Sequence, residues 1–237
     1  MKSKKIIVIL GLTISVALSS NLLAFAQDNE KNDVQSSPIS SGIAEVGDSN
    51  TIVSDVLTFD EVVESIANDN NISISEASKQ VIDNFNVDNS RKNLNTKLSQ
   101  YDKSNLALKT MAARSATYRS ISSTFTVTSA YKPSVRFYCE TDEWSGSSFR
   151  AIKKIVNISM NRGYNGISKQ FGGSVFAKLE APNKVYWLVN GDFYNNGTTS
   201  VNGNVSIGLG EGSSVSFGVS HSSNHYAYCY RDGYTYF

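Results

Sequence analysis

The chain holds only two histidines, His221 and His225, and they bracket a His-Ser-Ser-Asn-His segment with turn character. Across a hairpin, two such imidazoles face each other, and Asp192 or Glu211 would add a carboxylate to a metal site. No third ligand stands at a diagnostic spacing, so loop histidines and no metal are expected. Serines are abundant and Asp192 and Asp232 are at hand, yet no Gly-x-Ser-x-Gly elbow marks a nucleophile. Glu140, Asp142 and Glu143 beside Trp144 are the residue types of glycoside hydrolysis. Such carboxylates flank a substrate from different elements, whereas these three are neighbours in what reads as one short solvated loop. Neither a phosphate-cradling nor a dinucleotide-binding glycine pattern occurs, so no cofactor is expected. An extracellular hydrolase using His221 or His225 ranks third among three functional readings.

Aromatic residues offer more. Tyr226, Tyr228 and Tyr230 alternate with Ala227 and Cys229 on a candidate strand, and period two puts the three tyrosines on one face and Cys229 on the other. Cys139 shares a face with Val135 and Phe137, an apolar set suited to a core, which sends Tyr138 and Arg136 outward. With Lys153 and Lys154 as nearby bases, these tyrosines form a candidate surface for stacking on sugars or docking a protein. The expected partner is a cell-wall glycan or an anionic surface. Cys139 and Cys229 are the only cysteines, and outside the cell such a pair is expected as one disulfide, Cys139–Cys229.

A second candidate is a hairpin over 199–220. Val201, Val205, Ile207 and Leu209 on one arm, and Val215, Phe217 and Val219 on the other, alternate with small polar residues, and neither arm carries a charge. Arms of about nine residues approach the length of a tilted membrane-crossing strand. By pattern this resembles the inserting hairpin of β-pore-forming toxins. The same alternation also describes any hairpin with one face on a core. A bacteriocin- or toxin-like membrane-active protein is therefore the second functional reading.

The compartment follows from the first residues. Met1 to Lys5 is a basic n-region, Ile6 to Leu18 is apolar, and Ala24-Phe25-Ala26 fits signal peptidase, so cleavage after Ala26 and a secreted, extracellular chain are expected. The signal peptide and the Asn-rich usage look bacterial. The layout resembles secreted proteins of Gram-positive bacteria: signal peptide, acidic linker, short helices, small β domain.

Composition is globular, with 40% hydrophobic, 11% aromatic and 18% charged residues, and three prolines exclude Pro-rich architecture. The net charge of +1 conceals a split: residues 27–90 hold 13 acids and two bases, residues 91–237 hold 17 bases and eight acids. Residues 27–56 lack apolar periodicity and read as an acidic disordered linker. Residues 57–117 read as a helical, pro-like segment and connector, with Arg91, Lys92, Lys109 and Arg114 as basic cut sites from which an acidic pro-segment could be removed. Within it, Thr58/Glu61 and Ser73/Glu76 are capping boxes, and two apolar periodicities predict a helical hairpin over 58–85. Secretion and local acidity argue against nucleic acid as a partner. Residues 91–113 allow a loose third helix.

From Tyr118 the period changes to alternation. Strands are expected near 118–130, 134–141, 149–160, 171–180, 184–193, 199–209, 213–221 and 225–231, with part of 149–160 open to helix. Asn196-Gly197 reads as a type I′ hairpin turn. The expected fold class is α+β: signal peptide, short helical hairpin, then an antiparallel β-sandwich of about eight strands over 118–237. The leading functional reading is a non-catalytic binding module acting at a cell surface.

Overall fold

A computed structural model describes residues 51–85, 98–144 and 149–237. The expected signal peptide, most of the acidic linker, and Arg91 and Lys92 lie outside the described residues. The chain is α+β and mostly antiparallel sheet. In order, its elements are β1 (Thr51–Val53), α1 (Phe59–Asn70), α2 (Ile74–Asp83), α3 (Leu98–Ser115), β2 (Thr117–Thr124), β3 (Ser134–Glu143), β4 (Arg150–Asn161), β5 (Gly163–Tyr164), β6 (Ile167–Ser168), β7 (Gln170–Ala181), β8 (Lys184–Asn202), β9 (Ile207–Gly208) and β10 (Gly212–Tyr236).

The helical hairpin forms for the reasons visible in its caps. Thr58 Oγ1 accepts from the Glu61 N–H, and the Glu61 carboxylate accepts from the Thr58 N–H at 2.8 Å. Ser73 Oγ likewise accepts from the Glu76 N–H at 3.1 Å. Asn71 ends α1 in the left-handed conformation, φ 53°, which asparagine tolerates. Each helix is too short to persist alone. Their apolar faces bury Phe59, Val62, Val63, Ile66, Ala77 and Val81 against Tyr118, Tyr138 and Val156 of the sheet beneath.

That sheet has the order β1-β2-β3-β4-β9. Residues 51–53, expected to be linker, are its edge strand, pairing Thr51 with Ser123 and Val53 with Ile121. Three β-branched residues, Thr51, Ile52 and Val53, suit a strand, and Ser54 Oγ accepts from the Ser120 N–H at 2.9 Å. β4 is strand throughout and buried on both sides. Opposite Tyr138 and Cys139, its register slips at Val156, so Ile155 and Ile158 both face the inner core while Val156 faces the helices.

The second sheet is three long strands curled upon themselves. β7 pairs along one edge with β8 over 170–194 and along the other with the start of β10 over 212–217. β10 then runs the length of β8, from Ser216 opposite Asn202 to Tyr236 opposite Lys184. Four expected strands are therefore two bent ones. The expected turns at Asn195-Asn196-Gly197 and Ser222-Ser223-Asn224 lie side by side as one corner, where Ser223 pairs with Asn196. Gly197 (φ 127°), His221 (φ 53°) and Asn224 (φ 56°) supply the positive φ, and register slips on either side bend the ladder without ending it. The Asn-Gly pair that does turn a hairpin is Asn165-Gly166, φ 47° and 76°, joining β5 to β6.

The inner faces of the two sheets share one core containing Phe137, Ile155, Phe171, Trp187, Phe193 and Phe217. Gly173 and Gly191 oppose each other in it, beneath the Phe171 ring. A Cβ on Gly191 would lie 2.7 Å from the Gly173 Cα and would collide with the Gly172 carbonyl oxygen. Both cysteines face this core, as expected, but they are not joined: Cys139 and Cys229 are free, buried thiols. They belong to different sheets, Cys139 paired with Arg119 and Ile155, Cys229 with Gly191. Facing one core from two sheets did not bring the sulfurs into bonding geometry. Burial pushes the Cys139 thiol far up and that of Cys229 up to about 11.

Candidate functional site

Directly opposed residues of antiparallel strands point to the same face, so the register maps the outer surface of the curled sheet. One row across it reads Lys178, Tyr186, Tyr234, and the next reads Phe176, Leu188, Asp232. Ser174, Asn190 and Tyr230 form a third, and Asp192 and Tyr228 a fourth. Tyr236 stands opposite Lys184 at one end, and Tyr194 opposite His225 at the other. Six aromatic rings thus share this face over its central and Lys184 end: Phe176, Tyr186, Tyr228, Tyr230, Tyr234 and Tyr236.

The rings are arranged rather than scattered. Tyr186 lies 5.4 Å from Tyr234 and 6.3 Å from Phe176, and Tyr234 lies 6.4 Å from Tyr236, all tilted or edge-on. The Lys184 ammonium sits 3.8 Å from the Tyr234 ring centre and pairs with Glu180 at 3.0 Å. Those contacts with Glu180 hold the Lys184 ammonium above its ordinary pKa. The Tyr186 hydroxyl donates to Asp232 at 3.2 Å, and its pKa is raised by desolvation and by that carboxylate. Tyr228 donates to Asn190 Oδ1 at 2.8 Å. Tyr228, Tyr230 and Tyr236 are 58%, 49% and 53% exposed, with the helices in place. Flat rings, amide and carboxylate groups side by side suit a ligand that offers both C–H faces and hydroxyls.

The other expected surface residues are dispersed. A register slip between His225 and Ala227 turns Tyr226 inward, where it meets Tyr131 edge-on and shares a hydrogen bond of 2.8 Å with Thr128. Tyr138 and Arg136 face outward from β3 but lie under α1, where both donate to Asp69. Lys154 donates to the Asn84 carbonyl at the end of α2, and Lys153 pairs with Glu140 at 2.8 Å. These bases are engaged by the first sheet and its helices.

The expected membrane hairpin pairs only at its base, 198–202 against 216–220. Val201 pairs with Phe217, while Ile207 leaves for the other sheet and pairs with Ile155. Val205, Ile207, Val215 and Phe217 are buried in the shared core, Val201 packs against it, Val219 is half-buried and Leu209 is exposed. Glu140, Asp142 and Glu143 end a strand rather than filling a loop. Glu143 accepts two bonds from Arg119, at 2.6 and 2.7 Å, which hold its carboxyl below the ordinary range. His225 contacts Asp192 at 2.8 Å, and His221 sits in the bend. Among the described residues no cluster of three metal-ligating side chains occurs.

Sequence reading missed Phe176, Tyr186, Tyr234 and Tyr236. Phe176 and Tyr186 lie inside the strands expected over 171–180 and 184–193, and their signal was the outward alternation with Leu188 and Asn190. Tyr234 and Tyr236 continue the alternation past 231, where the last strand was expected to end. No family model matches the chain, no curated protein matches its sequence, and no solved structure matches its fold.

Proposed function

We propose that the chain is a secreted, non-catalytic binding module, its signal peptide cleaved after Ala26, that stacks the outer face of its curled sheet on a cell-wall glycan. In this reading the β part is a two-sheet antiparallel sandwich of bacterial origin. The observation that supports it is the six-ring face centred on Tyr186 and Tyr234, with Tyr228 and Tyr230 exposed beside Asn190. Aromatic side chains of that exposure are the usual anchors of a binding surface. The described helices α1 and α2 cover the other sheet, so this face does not need their removal to work. Its charges are mixed, Lys178 and Lys184 beside Asp232 and Asp192, which favours stacking over attraction to an anionic surface.

The test is co-sedimentation of the full secreted chain with insoluble cell-wall glycan, and with dye-loaded liposomes, at low and high salt. Retention on glycan that survives high salt and is lost in Tyr228→Ala/Tyr230→Ala is expected. Retention only at low salt would replace stacking with charge, and dye release would favour the membrane-active reading instead.

A further inference from the structure

The outer face of the first sheet carries a separate polar assembly beneath the helices. Asp69, in the last turn of α1, reaches down to it. Its Oδ2 accepts from Arg136 Nη1 at 2.9 Å, from Tyr138 Oη at 2.8 Å and from Ser159 Oγ at 2.9 Å. Its Oδ1 accepts from the same arginine nitrogen at 3.1 Å. The donors belong to β3 and β4, so the sheet sets their convergence, and Arg136 is further fixed by donating to Ser122 Oγ at 3.2 Å. Tyr138 and Ser159 are fully buried.

The position of the acid is informative. A carboxylate in the last turn faces the negative end of the helix dipole, so α1 gains nothing locally from Asp69. The gain comes from the three donors, which without an anion would leave a largely buried guanidinium uncompensated. We propose that Arg136, Tyr138 and Ser159 form a carboxylate-recognition site on this sheet, occupied here by the chain's own Asp69, which a ligand carboxylate enters when the α1–α2 corner lifts. The corner is short: Asn71 is left-handed, and α2 begins at Ile74. The recognised chemistry is one carboxylate met by a cation and two hydroxyls, whether carried by an acidic sugar or a peptide end. The site is on the opposite sheet from the aromatic face and stands independently of it.

The experiment melts the full chain as wild type, Asp69→Ala and Asp69→Ser in acetate, glucuronate and N-acetylglycine, against chloride at equal ionic strength. An anion that binds only the native state raises its melting temperature. Both variants are expected to gain several degrees from a carboxylate and the wild type a smaller gain beyond chloride, because Asp69 competes for the same donors, and adding Arg136→Gln is expected to abolish the gain. A stronger response to glucuronate assigns the ligand to sugars, and one to N-acetylglycine assigns it to peptide ends. Refolding yield in the same salts gives the same reading for a variant that melts too low to follow. Variants that gain no more than wild type from any of the three, a wild type that gains nothing beyond chloride at any concentration, or a gain that persists with Arg136→Gln, would overturn the proposal.

Discussion

Tyr226 and Tyr228 are two residues apart on one strand, yet the first is packed on Tyr131 and the second stands in solvent. The difference is the register slip at 225–227, which inverts the alternation for one step. Substitution therefore has opposite signatures: Tyr226→Ala lowers the melting temperature, while Tyr228→Ala leaves it near wild type and weakens only binding. Gly191 is constrained differently, by the Gly173 backbone and the Phe171 ring. Gly191→Ala is expected to cost about 1–3 kcal/mol in chemical denaturation, the range for forcing extra volume into a packed core. The two thiols are buried and held neutral, so neither is expected to react with a thiol reagent at mildly alkaline pH until denaturant is added. Reaction of one thiol in the native state would contradict their placement. At this scale the tyrosine alternation and the inward cysteines were legible. The slip was not, because Tyr226-Ala227 carries no glycine or other mark of a bulge, and facing the core from two sheets does not by itself bring two sulfurs within bonding reach.

Elements were legible where local chemistry decides them. The two N-caps and the apolar spacing of α1 and α2 are short-range facts, and Thr58→Ala is expected to cost about 1 kcal/mol in thermal or denaturant melts. Elements decided by long-range pairing were not. Asn196-Gly197 has the residues of a hairpin turn, but Ser222–Asn224 opposite it also bends, so the two strands turn a corner together. The strand β1 was missed because three residues are too few to show alternation. The Arg119–Glu143 pair links β2 to β3 with both side chains over four-fifths buried. Glu143 is held below the ordinary carboxylate range, first by its bond from Arg119, so its contribution is present above that range and is lost as pH falls through the lowered value. Wild type is therefore expected to lose stability on acidification more steeply than Glu143→Gln when melts are compared across pH 6 to about 3. Equal slopes would remove this pair from the account.

At the scale of the molecule, the α+β class and the acidic-to-basic charge split were legible, but what joins the halves was not. The helices are a layer over the first sheet, seated by Phe59, Val62 and Ile66 and by Asp69 on Arg136. Bases that looked available for a partner, Arg136 and Lys154, are the seats for the two helix ends, where a cation suits the dipole. The proposed binding surface accordingly keeps Tyr228 and Tyr230, loses Tyr226 and the bases of the first sheet, and gains the other rings of the curled sheet's outer face. Stacked aromatic contacts contribute about 0.5–1.5 kcal/mol each beyond area, and about 1.4 kcal/mol is tenfold in affinity. The most direct measurement is calorimetric titration of the full chain with a soluble cell-wall oligosaccharide, wild type against Tyr228→Ala/Tyr230→Ala. The account predicts affinity weaker by roughly tenfold or more in the double variant at an unchanged melting temperature. Equal affinities for the two proteins would contradict it.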